Sequence, residues 1–263
     1  MSQSIIPYLI INYPDPTSFL GCLEVILSAN PDYLEIQLPF SNPVVDGPII
    51  QRADQIALQF PLDLAEILSQ IGDLKVRLGS TTKLILMSYI TPAFAFGITD
   101  LAQSLAQNGF YGAIIPDLPV DAPEFGEFQN AGEVCLIPVI SPITTQDRLT
   151  HIQNFLKPNQ MVYITARKGL TGSQTDLSHP EFLDYAEFIK SNLTTNVLAL
   201  GFGIRTNEQL TQARNLGFVP VVATELISRI ATAIKSESKT DQNFDQKKLA
   251  TEAVVDWLGE IMV

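Results

Sequence analysis

The segment YLEIQLPFSNPVVDGP, residues 33–48, carries two carboxylates spaced for acid–base work. Strand alternation puts Leu34 and Ile36 on one face and Glu35 and Gln37 on the other. If Leu34 and Ile36 meet a layer of helices, Glu35 points into the interior of the sheet. A carboxylate there is costly unless paired, and desolvation raises its pKa toward the neutral range that a general acid or base needs. Asp46 follows in a loop constrained by Pro43, Gly47 and Pro48. A strand-borne carboxylate facing a loop-borne one makes an acid–base pair that loop closure can assemble. The competing reading pairs Glu35 with an interior basic residue and leaves Asp46 as a turn aspartate. From these residues alone the two readings weigh about equally.

A second group of residues suits an anion. GFGI at 201–204 holds two glycines that let backbone N–H groups approach a ligand. Ala223 and Thr224 stand just before a helix that starts near Glu225, where free amides favour a phosphate. Between these groups, ARKGLTGSQTD at 166–176 reads as a glycine- and hydroxyl-rich lid, with Arg167 and Lys168 able to steer an anion inward. Lys168 also admits Schiff-base chemistry, although a solvated loop lysine is the simpler reading. His151 and His179 lack partner spacing and read as surface residues, and no metal site is expected. Cys22 and Cys135 sit in apolar segments and read as reduced core thiols.

These residues must be positioned by an alternation of short apolar runs and longer amphipathic ones. Strands are expected at Ile5–Ile11, Tyr33–Gln37, Leu84–Ser88, Gly112–Ile115, Val134–Ile140, Met161–Thr165, Asn196–Leu200 and Phe218–Ala223. Helical patterns lie at Ser18–Ala29, Leu62–Leu78, Thr99–Gln107, Thr145–Phe155, Glu181–Lys190 and Asn207–Asn215. A final helix at about 247–261 follows a polar loop at about 236–246. Thr99, Thr145 and Thr206 read as N-caps. Eight strand–helix units in 263 residues predict an α/β fold, a single-domain (β/α)8 TIM barrel over residues 1–263. No GxGxxG follows the first strand, which counts against a doubly wound sheet.

The formal net charge of −12 argues against binding to nucleic acid or an anionic membrane. No apolar run is long enough to span a bilayer, and the start MSQSIIPYLI lacks the features of a signal peptide, so a cytoplasmic location is expected. The charge is uneven: residues 1–147 carry 16 acidic and 4 basic residues, whereas 148–229 carry 6 and 8. The acidity belongs to the half that holds Glu35 and Asp46. Most of the expected anion site falls in the other.

In order and spacing, the 35–48 segment, PYLIINYPDP (7–16), LMSYITP (86–92), PDLP (116–119), RKGLTG (167–172) and GFGI resemble the landmarks of the tryptophan synthase α subunit family. The resemblance implies a (β/α)8 fold that cleaves indole-3-glycerol phosphate to indole and glyceraldehyde 3-phosphate. It also implies a heterotetrameric α2β2 complex with a β subunit that carries PLP, and no cofactor in this chain. By position it makes Glu35 the main acid–base and Asp46 the group that handles the indole N–H proton. Tyr163 and Phe202 would enclose the indole, and Thr171 would meet Asp46 on lid closure. Gly172, Gly203, Ala223 and Thr224 would cradle the phosphate.

Several positions depart from the family pattern. Gln37 and Asn12 stand where glycine is usual, Thr91 where asparagine is, and Asn42 replaces an aspartate directed toward the β partner. Ala223-Thr224 replace Gly-Ser, and Glu225 is expected to compete with phosphate for the helix dipole. Arg205 could compensate with a charge-assisted contact. The family's N-terminal helix is expected to be absent or short. These departures leave open an alternative, a diverged and catalytically weak α-like subunit that binds and regulates a β subunit. A Schiff-base aldolase using Lys168 is a third reading.

Overall fold

A computed structural model describes residues 4–166, 176–201, 203–237 and 245–261. Nine parallel strands are present among them: β1 (Ile6–Ile10), β2 (Tyr33–Gln37), β3 (Lys83–Met87), β4 (Phe110–Ile114), β5 (Cys135–Ile137), β6 (Val139–Ile140), β7 (Met161–Thr165), β8 (Val197–Gly201) and β9 (Val219–Val222). Their spatial order is β5-β4-β3-β2-β1-β9-β8-β7-β6. The two outer members of that order are consecutive in the chain and separated only by Pro138, so the sheet curls into a nearly closed barrel. The single strand expected at Val134–Ile140 is therefore two. Pro138 has no N–H to give to a ladder, but its carbonyl accepts the Tyr163 N–H at 3.0 Å, which ties the seam together.

Eleven helices wrap the described barrel: α1 (Pro16–Ala29), α2 (Pro48–Ala57), α3 (Leu64–Arg77), α4 (Ile90–Phe96), α5 (Ile98–Gln107), α6 (Pro123–Ala131), α7 (Gln146–Gln153), α8 (Pro180–Asn192), α9 (Asn207–Asn215), α10 (Thr224–Glu237) and α11 (Gln246–Ile261). Caps explain several boundaries. Asp15 accepts the Ser18 N–H ahead of Pro16, Thr145 accepts the Arg148 N–H, and Thr206 and Gln209 form a reciprocal capping box. Thr99 is not a cap. The α5 helix starts one residue earlier, with Gly97 at φ +100° in the N-cap position. Asn12 adopts φ +64°, in the left-handed region that asparagine tolerates better than most residues, so the backbone there keeps a conformation suited to glycine. Among the described residues no helix precedes β1, and none is long and apolar enough to cross a membrane.

Two apolar layers follow from the strand alternation. Leu34, Ile36, Leu84, Leu86, Val162, Ile164 and Leu200 pack outward against the helices. Ile6, Ile85, Met87, Ile114, Ile137, Met161, Ala199 and Val221 fill the barrel interior. Glu35 sits in the inward set, opposite Tyr8 of β1 and Ile85 of β3 in the ladder registers. The α11 helix closes the outer layer against α1 and α10, with Trp257 buried.

Candidate active site

The C-terminal end of the barrel holds a cavity of about 340 Å³. Its lining includes Glu35 of β2 and Asp46 from the loop after it, Tyr163 of β7, and Gly203, Ala223 and Thr224 from the ends of β8 and β9. Tyr8 and Gln37 complete the wall beside Glu35. Of the residues expected from the sequence, these six are brought together. Arg205 is half-buried and does not line the cavity. Phe202, Thr171 and Gly172, like Arg167 and Lys168, lie outside the described residues.

Glu35 is 3 % exposed, and its Oε2 has no hydrogen-bond partner. No ion pair to it is present among the described residues, so the interior basic partner allowed by the sequence is not found there. Burial, followed by the nearby Asp46 charge, pushes its carboxyl up to about 8. Asp46 is held differently. The Tyr89 hydroxyl donates to its Oδ2 at 2.9 Å, and the same tyrosine oxygen accepts the Val45 N–H at 3.2 Å. Burial raises Asp46 to about 6, a rise tempered by hydrogen bonds from Tyr89 and Gln37. At neutral pH the pair is therefore split, with Glu35 mostly protonated and Asp46 mostly ionised. Such splitting assigns acid and base to two like groups.

The wall after β8 and β9 suits an anion. The α10 helix begins at Thr224, so its first amides lack partners within the helix, and Ala223 and Thr224 line the cavity together with Gly203, where φ is +100°. Glu225 does not oppose this arrangement as expected. Its Oε1 accepts from Arg229 Nε at 2.8 Å, and Arg229 also forks to Glu260 at 2.8 and 2.7 Å on the outer surface. That ion pair offsets the carboxylate near the helix start. Tyr163 lies across Gly201, where any Cβ would collide with the phenol ring.

Several site residues carried no clear local signal. Tyr89 lies far in sequence from the aspartate it binds. Thr165 ends β7 with a buried Oγ1 that has no partner, and it faces the cavity. Tyr8 and Thr165 follow from inward strand parity once the barrel is assumed. Gln37 does more than occupy space: its Nε2 donates to both oxygens of the buried Asp54 at 2.9 Å, and its Oε1 accepts from the Tyr8 hydroxyl. His179 caps α8, and His151 packs on Phe155. No group of three or more metal-binding side chains occurs among the described residues.

Comparison with known proteins agrees with this geometry. The family model for the tryptophan synthase alpha chain matches residues 1–255. The chain belongs to that family. A tryptophan synthase alpha chain from Carboxydothermus hydrogenoformans is 31% identical over 241 residues, 91% of this chain and 88% of the relative. One from Desulfovibrio desulfuricans is 33% identical over 214 residues, 80% of each. A mutant tryptophan synthase alpha-subunit from the hyperthermophile Pyrococcus furiosus superposes with a TM-score of 0.79 at 26% identity, covering 98% of both chains. Membership of the tryptophan synthase alpha family supports a lyase role and accords with the barrel found here.

Proposed function

We propose that this protein cleaves indole-3-glycerol phosphate to indole and glyceraldehyde 3-phosphate, acting as one barrel domain in the cytoplasm beside a PLP-bearing β subunit in an α2β2 complex. The observation that carries this reading is the buried Glu35 carboxyl facing the cavity, its Oε2 without a hydrogen-bond partner, with Asp46 held by Tyr89. Protonated Glu35 donates to the ring carbon that bears the glycerol chain, while ionised Asp46 takes the indole N–H proton. The bond from ring to side chain then breaks. Its electron pair returns to the ring, and Glu35 takes the carbinol O–H proton as the aldehyde forms. Asp46 gives its proton back to the ring nitrogen, so both carboxyls end as they began.

The phosphate sits at the start of α10, near Gly203, Ala223 and Thr224, and the indole lies between the Tyr163 side and the interior apolar wall. Phe202, Thr171 and Gly172 belong to the same assignment, and Arg205 is a candidate contact once ligand is bound. We assign no cofactor to this chain, since carboxyl proton transfers account for each bond change.

The test is Glu35→Gln, assayed for indole release with and without a β subunit. The expected result is a loss of about 10³-fold with the fold retained. Unchanged turnover would sink the mechanism. The second reading, a weak α-like regulatory subunit, is favoured by the Gln37 amide standing in the interior beside Glu35. It predicts slow cleavage by the native protein in both states, together with stimulation of β-subunit turnover.

A further inference from the structure

Gln37 and Asp54 are both fully buried, and the bond between them joins the end of β2 to the second turn of α2. The hydrogen bond from Tyr8 adds β1 to the same junction. The chain between the two bonded residues contains the whole Asp46 loop and the first turn of α2. That first turn grips the loop directly, since Gln51 Nε2 donates to the Asp46 carbonyl at 2.7 Å. The loop has few bonds of its own, among them Asp46 N–H to the Pro43 carbonyl at 3.1 Å. Tyr89 binds the Asp46 carboxylate and the Val45 N–H, and the start of α2 sets the lie of the loop that brings them there.

We propose that Gln37 is a positioning residue for the acid pair: by bridging the Tyr8 hydroxyl and the Asp54 carboxylate it fixes the start of α2, and with it holds the Asp46 loop toward Glu35. The proposal rests on the lyase reading for its effect on rate, and on geometry alone for its effect on the loop. A side-chain amide suits the task because it accepts from one partner and donates to the other, so neither buried group is left unsatisfied. Removing Gln37 alone leaves the buried Asp54 carboxyl with only the backbone bond from Phe40, whereas removing both members of the pair leaves no such carboxyl.

Two measurements on the full chain, free and with a β subunit, test this. The first is amide hydrogen exchange. Gln37→Ala is expected to speed exchange about tenfold across the Asp46 loop and the start of α2, with β7 to β9 unchanged. The second is steady-state cleavage of indole-3-glycerol phosphate. Gln37→Ala is expected to lower kcat by about tenfold or more, with KM within about twofold, because a misaimed group costs rate more than affinity. Gln37→Ala combined with Asp54→Ala, which guards against simple misfolding, should lose no more kcat than the single variant, within about twofold. Gln37→Glu combined with Asp54→Asn reverses donor and acceptor and should recover most of the lost kcat.

Unchanged exchange, unchanged or faster turnover in Gln37→Ala or Gln37→Gly, or losses that multiply in the double variant would each overturn the proposal. If the native protein releases no indole, the lyase reading fails, and the exchange measurement alone decides whether Gln37 holds the loop.

Discussion

The two ends of this barrel are built from similar residue types and treat them oppositely. At the N-terminal end, Tyr33 and Tyr111 meet edge to face at 5.9 Å, with Lys83 over their rings at 5.1 and 5.3 Å. The Tyr111 oxygen accepts the Met161 N–H at 3.0 Å, and buried Gln160 donates to the Leu136 carbonyl at 3.0 Å. Tyr111, Gln160 and Lys83 there each have a partner, and the two aromatic rings pack at that end of the barrel. At the C-terminal end, Tyr8, Tyr89 and Tyr163 surround carboxylates instead of a cation. Glu35 and Thr165 keep buried oxygens without partners beside a cavity. A satisfied end contributes stability, whereas an unsatisfied one holds polar groups ready for a ligand at a cost in stability.

That contrast can be broken at several points. The largest effect is expected at Asp46. Asp46→Asn removes the ionised partner and should lower indole release by about 10²-fold, while the analogous loss of a polar group at the other end, Tyr111→Phe, should leave kcat unchanged. The pH dependence of kcat/KM comes next. On the proposed mechanism, activity requires ionised Asp46 and protonated Glu35, so it should rise through about 6 and fall through about 8. A flat profile across that window would remove the split pair.

Stability should carry the same signature. The folded Glu35 pKa lies above its unfolded value, so the folded state holds the proton more tightly. The Glu35 contribution is complete below about 4.5 and is lost as pH rises toward about 8. With roughly 1.4 kcal/mol per pKa unit, the swing is at most a few kcal/mol. Chemical denaturation of Glu35→Gln should therefore show a shallower decline between pH 5 and 8 than the native protein. An equal decline would place the titrating group elsewhere. The smallest effect belongs to the closed end, where Lys83→Met should cost about 0.5–1 kcal/mol with no change in turnover. A fall in kcat there would show that the two ends are coupled.

Much of this arrangement was legible in the chain. Period-two alternation in YLEIQ placed Glu35 inside, since Leu34 and Ile36 need the helix layer. The order of apolar runs predicted the barrel, and barrel order placed Gly203 and Thr224 at its C-terminal end, where both line the cavity. Other features were not legible. The α2, α4 and α6 helices were not located in the sequence; α4 and α6 are short and bury few residues, and α2 starts in a proline-bounded loop. Val134–Ile140 reads as one run because its apolar content is continuous, and only the closure of the sheet makes Pro138 a seam. Gln37 read only as a departure from the family's glycine, and Glu225 as a competitor for phosphate. Both are satisfied by partners on other elements, Asp54 and Tyr8 in one case and Arg229 in the other.

The sequence by itself determined which residues face inward and which loops gather at the C-terminal end, because alternation and element order are local properties that survive any detail of packing. Only the tertiary structure decided which of those groups are satisfied. Tyr89 reaches Asp46 from another strand end, Asp54 reaches Gln37 from a helix, and Glu35 is reached by neither. Hydrogen bonds between distant elements depend on register and helix placement, and burial strengthens both a bond that is made and the cost of one that is not. Burial, with the Asp46 charge beside it, holds the proton on Glu35.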